Sequence, residues 1–348
     1  MTDHDLARFV VGLPKAELHL HLVGAASVPT VLELARRHPG GGVPTDEAAL
    51  RAFYEFTDFA HFIEVYIAVN SLVRGPEDVE ALVVGAARDL AAQNVRYAEL
   101  TVTPDSHVTT MGMPGEAVAE ALTSGRLTAR AEHGVELAWV FDIPGELGLP
   151  SGERTIDWVE QHAPEGSVGF GLGGPEAGVG RPQFADVFAR ARAIGLHSVP
   201  HAGETTGPET IWDAVRDLGA ERIGHGIAAA HDPALLAHLA EHRIALEVCP
   251  TSNLRTRAVE SIEDHPFATL RDAGVVVTLG SDDPGMFDTT LQREYEIAHD
   301  VFGLDREALV DLAEASVDAS FAPDDVRWAL SAEIDAYRPS TATDPSAP

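Results

Sequence analysis

The 348-residue chain is more than twice a typical domain, so it holds either two domains or one large α/β barrel. Its 45 % apolar and 23 % charged residues exclude a disordered chain. With 24 basic against 55 acidic side chains the formal charge is −31, which repels phosphate backbones and anionic lipid, so neither nucleic acid nor membrane is an expected partner.

The single cysteine, Cys249, forms no intramolecular disulfide and supplies no thiolate metal cage. No apolar run reaches the roughly 20 residues needed to cross a bilayer. The first residues, MTDHDLARFV, lack a basic segment followed by an apolar core, so a cytoplasmic protein is expected. Whether it forms a homo-oligomer is not written in the sequence.

Short β-like runs alternate with Ala-rich helical ones. The strands are expected at 15–22, 95–102, 135–142, 167–172, 196–201, 221–226, 244–249 and 275–280. Amphipathic stretches at 77–92, 115–133, 182–194, 208–218, 232–242 and 264–273 fall between them. Further helices at 288–302, 305–317 and 323–337 would pack outside. Eight strand–helix units predict a (β/α)8 TIM barrel of the α/β class, with additional helices. The doubly wound alternative lacks its Gly-rich phosphate turn, because strand one runs into HLVGAASVP. Residues 1–337 read as a single barrel domain and 338–348 (RPSTATDPSAP) as a disordered tail.

The connection between strands one and two, about 23–94, is unusually long. Within FYEFTDFAHFIEVYIA, the residues Phe53, Phe56, Phe59 and Phe62 lie three apart, and Ile63 and Tyr66 continue the stripe. The stripe reads equally as a core-facing helix and as a helical lid over the barrel mouth, with Phe56 and Phe59 against substrate.

Chemistry-bearing residues gather at the strand ends, where barrels place their active sites. His19 and His21 alternate in strand one, so both imidazoles point inward about 7 Å apart. Strand five ends in VPHAGE, with His201 and Glu204. Strand six ends in RIGHG, with His225, and strand eight leads into SDDP, with Asp282 and Asp283.

The motifs KAELHLHLVG, GLGGPE, HAGE, GHG, EVCPTSN and SDDP, in that order from Lys15 to about Phe287, resemble the adenosine deaminase family of zinc aminohydrolases in the amidohydrolase superfamily. The resemblance implies one Zn²⁺ per chain on His19, His21, His201 and Asp282, with a water at the open position. It implies hydrolysis at C6 of a 6-aminopurine, releasing ammonia. Glu204 would hydrogen-bond and protonate ring N1, and His225 would take the water's proton and stabilise the hydroxide. Asp283 would meet N7, and the Gly174 N–H would reach N3. The other zinc deaminase class needs two cysteines and is excluded.

Two departures shape the substrate expectation. Where adenosine deaminases have an aspartate for the ribose 5′-hydroxyl, and adenine deaminases a glutamate, this chain has Val23. An unpaired hydroxyl there costs about 1–3 kcal/mol, a bias against adenosine. In GLGGPE, Gly171, Gly173 and Pro175 replace two acids and an alanine, which predicts a wider pocket. The H-L-H-L-V-G form is similar to the 6-amino-6-deoxyfutalosine deaminases of menaquinone biosynthesis, whose substrate carries an acyl-benzoate arm in place of the 5′-hydroxyl. The alternatives are adenosine deaminase, adenine deaminase, or a catalytically inactive barrel that binds ligand. For the benzoate, Arg74, Arg154 and Arg181 are available without preference.

Among neighbours, His197 is expected as a hydrogen-bonded barrel-interior histidine, Lys15 as a partner of Glu17 at the barrel floor, and Cys249 as a packing residue of strand seven. His61 is expected to face solvent. Ser252 and Asn253 are expected to shape a loop.

Overall fold

The computed structural model describes residues 3–338. Its eight strands are β1 (Lys15–His21), β2 (Val95–Val102), β3 (Glu136–Pro144), β4 (Ser167–Gly173), β5 (His197–Ala202), β6 (Arg222–His225), β7 (Ala245–Val248) and β8 (Val277–Leu279). They pair in parallel in chain order, and all eight lie within two residues of their expected limits. Almost every strand residue is buried, because side chains fill the barrel on one face and helices cover the other.

The barrel closes at an unusual place. The His21 N–H donates to the Asp282 carbonyl and the Asp282 N–H to the His19 carbonyl, both at 3.0 Å, and a bridge joins Leu20 to Asp282. Closure removes the open-sheet alternative. Helix Arg306–Ala319 packs over the β1–β8 seam. Of the expected tail at 338–348, residues 339–348 lie outside the described residues. Its first residue, Arg338, is held by Asp311 (2.9 Å) and Glu314.

The long β1–β2 connection carries helices Val28–Arg37, Glu47–Phe53 and Phe59–Asn70 before the outer helix Pro76–Ala91. Buried Asp78 ties them down, accepting from Arg37 (2.6 Å), His38 (2.8 Å) and the backbone N–H groups of Arg74 (3.0 Å) and Gly75 (3.1 Å). The aromatic run is not one helix. Glu47–Phe53 ends at Tyr54, and the Asp58 carboxylate starts the next helix by accepting from the His61 N–H at 2.9 Å. Spacing by three therefore does not put Phe53 and Phe56 on the lid face. Phe56 sits in the break with its ring 5.4 Å from Phe62 and 6.0 Å from Phe287. His61 is half-buried, with its ring nitrogen accepting from the Thr57 N–H.

At the floor, Arg222 is buried between two carboxylates. Its Nε donates to Glu247 at 2.6 Å, one Nη to Glu99, and the other to the Ala319 carbonyl at 2.9 Å. The Lys15 ammonium donates to the Val10 and Leu13 carbonyls at 2.6 Å each, not to Glu17, whose carboxylate instead accepts from Ser281. His197 is hydrogen-bonded as expected, to Glu221 at 2.8 Å, but its side chain is 41 % exposed and stacks on Phe321 at the rim. The first residue of a strand lies at the barrel's edge, which parity alone does not convey. Cys249 is buried one residue beyond β7.

Arg222→Leu leaves Glu99 and Glu247 buried without their guanidinium. It is expected to destabilise the fold by about 3–5 kcal/mol. The urea midpoint would fall with an unchanged slope; an unchanged midpoint would show that the triad does not support the fold.

Candidate active site

His19, His21, His201 and Asp282 come from β1, β5 and the turn after β8, and their donor atoms lie within 4.8 Å of one another. His21 Nε2 is 3.2 Å from His201 Nε2, and Asp282 Oδ1 is 3.4 Å from His19 Nε2 and 3.3 Å from His21 Nε2. A tetrahedron with about 2.1 Å from centre to corner has edges of about 3.4 Å. The spacing fits one shared cation.

The field agrees. Burial opposes charge on His19 and His21, yet Asp282, with Glu247 for His19, raises them to about 10 and about 9. Asp282 is held well below the carboxylate range against its own burial, by the imidazoles of His19, His21 and His225 around it. Such a site demands positive charge at its centre. His201 is driven the other way, by burial and then by the neighbouring imidazoles, so it keeps a lone pair to donate. His19 Nε2 is buried without a hydrogen-bond partner. Its Nδ1 donates to Glu247 at 2.8 Å, which fixes the tautomer and aims the bare nitrogen inward.

Residues read in the sequence as loop formers position the site. The Ser252 hydroxyl donates to Asp282 Oδ2 at 2.6 Å, and Asn253 Nδ2 lies 3.1 Å from His225 Nδ1. Glu176, the last residue of GLGGPE, accepts from the N–H groups of Gly203 (2.7 Å), Thr205 (2.6 Å) and Thr206 (3.2 Å) and pins the loop that carries Glu204. His225 and Asp282 both have left-handed backbones, with φ of 58° and 63°. Non-glycine residues adopt this conformation at a cost of order 1–3 kcal/mol, and such strain gathers at functional sites.

Above these four side chains is a cavity of about 830 Å³ including its mouth. Its upper wall is one face of helix Phe59–Asn70, with Phe59, Phe62, Ile63, Tyr66, Ile67 and Asn70 at true helical spacing. Deeper lie Gly174, Glu204, His225 and Asp283. Glu204 is raised to about 8 by burial and then by the charges of Asp282 and Glu176; its Oε1 accepts from Thr256 at 3.1 Å. Asp283 is raised to about 8 by burial and by Asp282, and its Oδ1 has no hydrogen-bond partner. It leans on Gly24, where a β-carbon would fall 1.6 Å from that oxygen. Gly174, with φ of 80°, is in a conformation glycine favours.

The structure does not bring every expected residue into the cavity. Val23 is buried in the apolar core, and neither it nor Phe56 lines the cavity. Arg181 is buried between Glu176 and the His201 carbonyl, and Arg154 is bound to Asp105, so neither is free for a ligand. Gly171 and Gly173 do not widen the pocket. A β-carbon on Gly173 would fall 2.6 Å from Asp142 Oδ2, so their space is filled by Asp142, held by the Thr103 hydroxyl at 2.6 Å. Asp142, at the inward end of β3, was legible by the strand-end rule that found His201. Glu146, beside Gly174, carried no such signal.

The family described as adenosine deaminase matches residues 14–337. An aminodeoxyfutalosine deaminase of Streptomyces avermitilis is 57 % identical over 97 % of this chain and 94 % of its own length. One from Streptomyces coelicolor is 56 % identical over 96 % and 86 %. An adenine deaminase of Cupriavidus metallidurans is 37 % identical over 99 % and 97 %. Among solved structures, adenine deaminase from Arthrobacter aurescens superposes with a TM-score of 0.88 at 30 % identity, covering 93 % of this chain and 99 % of that one. An amidohydrolase from Burkholderia ambifaria with bound Zn gives 0.89 at 26 % identity, over 97 % and 94 %. A match over nearly the whole length, and relatives above half identity, make the protein a deaminase, a hydrolase of C–N bonds, and it belongs to the adenosine deaminase family.

Proposed function

We propose that the chain deaminates a 6-aminopurine nucleoside at C6 with a zinc ion held by His19, His21, His201 and Asp282. The substrate is 6-amino-6-deoxyfutalosine, converted to futalosine and ammonia in menaquinone biosynthesis. The observation that carries the chemistry is the convergence of four donor atoms within 4.8 Å of one another beside a carboxyl group that burial keeps protonated near neutrality. Zinc there would lower the pKa of a water towards roughly 7 and turn it into a nucleophile.

The protein's own groups do the rest. Glu204 hydrogen-bonds N1 and gives it a proton as the ring loses aromaticity. Asp283, also protonated near neutrality, donates to N7 through a carboxyl group that has no competing partner at Oδ1. The Gly174 N–H faces N3. Phe59, Phe62 and the rest of the lid face exclude water from the ring, which strengthens each of these contacts.

The substrate reading rests on the wall and on the relatives. The relatives at 56–57 % identity are aminodeoxyfutalosine deaminases. The solved ADAL of Arabidopsis is complexed with the nucleotide IMP. Here, among the described residues, the cavity is lined by Asp142, Glu146, Glu204, Asp282 and Asp283 and by no lysine or arginine. A 5′-phosphate finds no lysine or arginine in that lining to pair with. The benzoate ring of a 5′ arm lies along Ile63, Tyr66 and Ile67, with its carboxylate in solvent at the mouth.

A panel of adenine, adenosine, AMP and aminodeoxyfutalosine, followed by ammonia release, tests this reading. The expected order of kcat/KM puts aminodeoxyfutalosine first and AMP last; a preference for adenosine overturns the substrate assignment. The purified chain is expected to carry one zinc ion, and chelation is expected to abolish turnover until zinc is returned. Glu204→Gln is expected to lower kcat by about 10²–10⁴-fold with zinc content unchanged.

A further inference from the structure

Which nitrogen of His225 carries its proton decides what that imidazole offers the oxygen attacking C6. A chain of buried hydrogen bonds answers the question from its far end. The Phe267 backbone N–H donates to His265 Nδ1 at 3.2 Å. A backbone amide only donates, so His265 Nδ1 is bare and its proton sits on Nε2. That Nε2–H lies 3.1 Å from Asn253 Oδ1 and donates to it. The amide is thereby oriented with its NH2 towards His225 Nδ1, at 3.1 Å. An amide nitrogen also only donates. His225 Nδ1 is therefore an acceptor, and the ring's proton is on Nε2.

All three side chains are buried. Burial also lowers His265 to about 4, which agrees with the neutral ring that the geometry requires. His225 Nε2 faces the site, 3.7 Å from Glu204 Oε2 and 3.8 Å from Asp282 Oδ2.

We infer that Asn253 and His265 are positioning residues that lock His225 as its Nε2–H tautomer, so that it donates a hydrogen bond to the attacking oxygen and does not take that oxygen's proton. The attack itself rests on the deaminase reading; the tautomer does not. Protons then move through Glu204. Having given its proton to N1, Glu204 is a carboxylate, and it receives the proton released when the water's O–H breaks and its oxygen bonds to C6. That proton leaves with the amino group as ammonia, and the water's second proton, left on the oxygen at C6, returns to Glu204 as the C6=O bond forms, which restores the acid. The role expected of His225 from the sequence, acceptor of the water's proton, is thereby replaced.

The test uses the zinc-loaded full chain with ¹⁵N-labelled histidine. Long-range ¹H–¹⁵N spectra are expected to show His225 with a bare Nδ1 and a protonated Nε2; a proton on Nδ1 overturns the inference without touching the substrate assignment. Asn253→Asp is nearly isosteric but can only accept, so it pulls the proton to Nδ1. It is expected to reverse the spectrum and lower kcat by about 10²-fold or more, with zinc content unchanged. Asn253→Ala removes the bias without inverting it and is expected to lose less. A purely packing role for Asn253 gives the opposite order, with Ala worse than Asp, and that order overturns the proposal.

Discussion

The barrel's seam and its cluster of three imidazoles and a carboxylate are built from the same residues. Backbone bonds from His21 and to His19 close β1 against Asp282, and the side chains of these three residues supply three of the four donors. A ladder with strands about 4.8 Å apart holds neighbouring side chains at a fixed separation. The site therefore inherits its precision from closure, not from loops. The left-handed turn at Asp282 is the means: it lets the chain leave β8, bond back to β1 and still aim its carboxylate at the two imidazoles. Strain at that residue is offset by two backbone hydrogen bonds and the Ser252 hydroxyl.

Burial then divides the carboxyl groups by role. Asp282 has two imidazoles and a hydroxyl to hold its charge and stays ionised. Glu204 and Asp283 are pushed to about 8 by burial and then by the Asp282 charge beside them, with too few donors to answer either. One carboxylate that keeps its charge forces its neighbours to keep their protons. The ionised and the protonated groups are thus distinguished by environment, although all three are carboxyl groups at the same end of the barrel.

The strands and the gathering of His19, His21, His201 and Asp282 at one end of the barrel were legible because a residue two positions along a strand returns to the same face and strand ends converge; the grouping of these four as one ligand set came from the resemblance to the family. Asp142 follows the same rule. What the sequence concealed was set by contacts distant in the chain. The aromatic run from Phe53 to Tyr66 has a spacing that mimics a single helix, but Asp58 caps a new helix and turns Phe56 into the packing behind it. Whether Gly173 opens a cavity or makes room for a neighbour depends on Asp142, on the adjacent strand. Val23 stands in the family's substrate-binding position, but its side chain joins the apolar core.

The stretch at the end of β7 shows how few residues can orient a whole site. Glu247 sets the tautomer of His19, Ser252 anchors Asp282 and Asn253 orients His225. These three residues lie within one strand end and the short helix Pro250–Arg255 that follows it. Glu247 is itself held by Arg222, and Asn253 by His265, so each of these two orienting groups has a buried partner that fixes its direction. An imidazole has two nitrogens with opposite hydrogen-bonding roles, and its chemistry reverses when they exchange. Each of these two histidines has that choice made on the side facing away from the reaction, by a group that can only accept at His19 and only donate at His225. The result is a bare nitrogen on His19 turned towards the other three donors and an N–H on His225 turned towards Glu204 and Asp282.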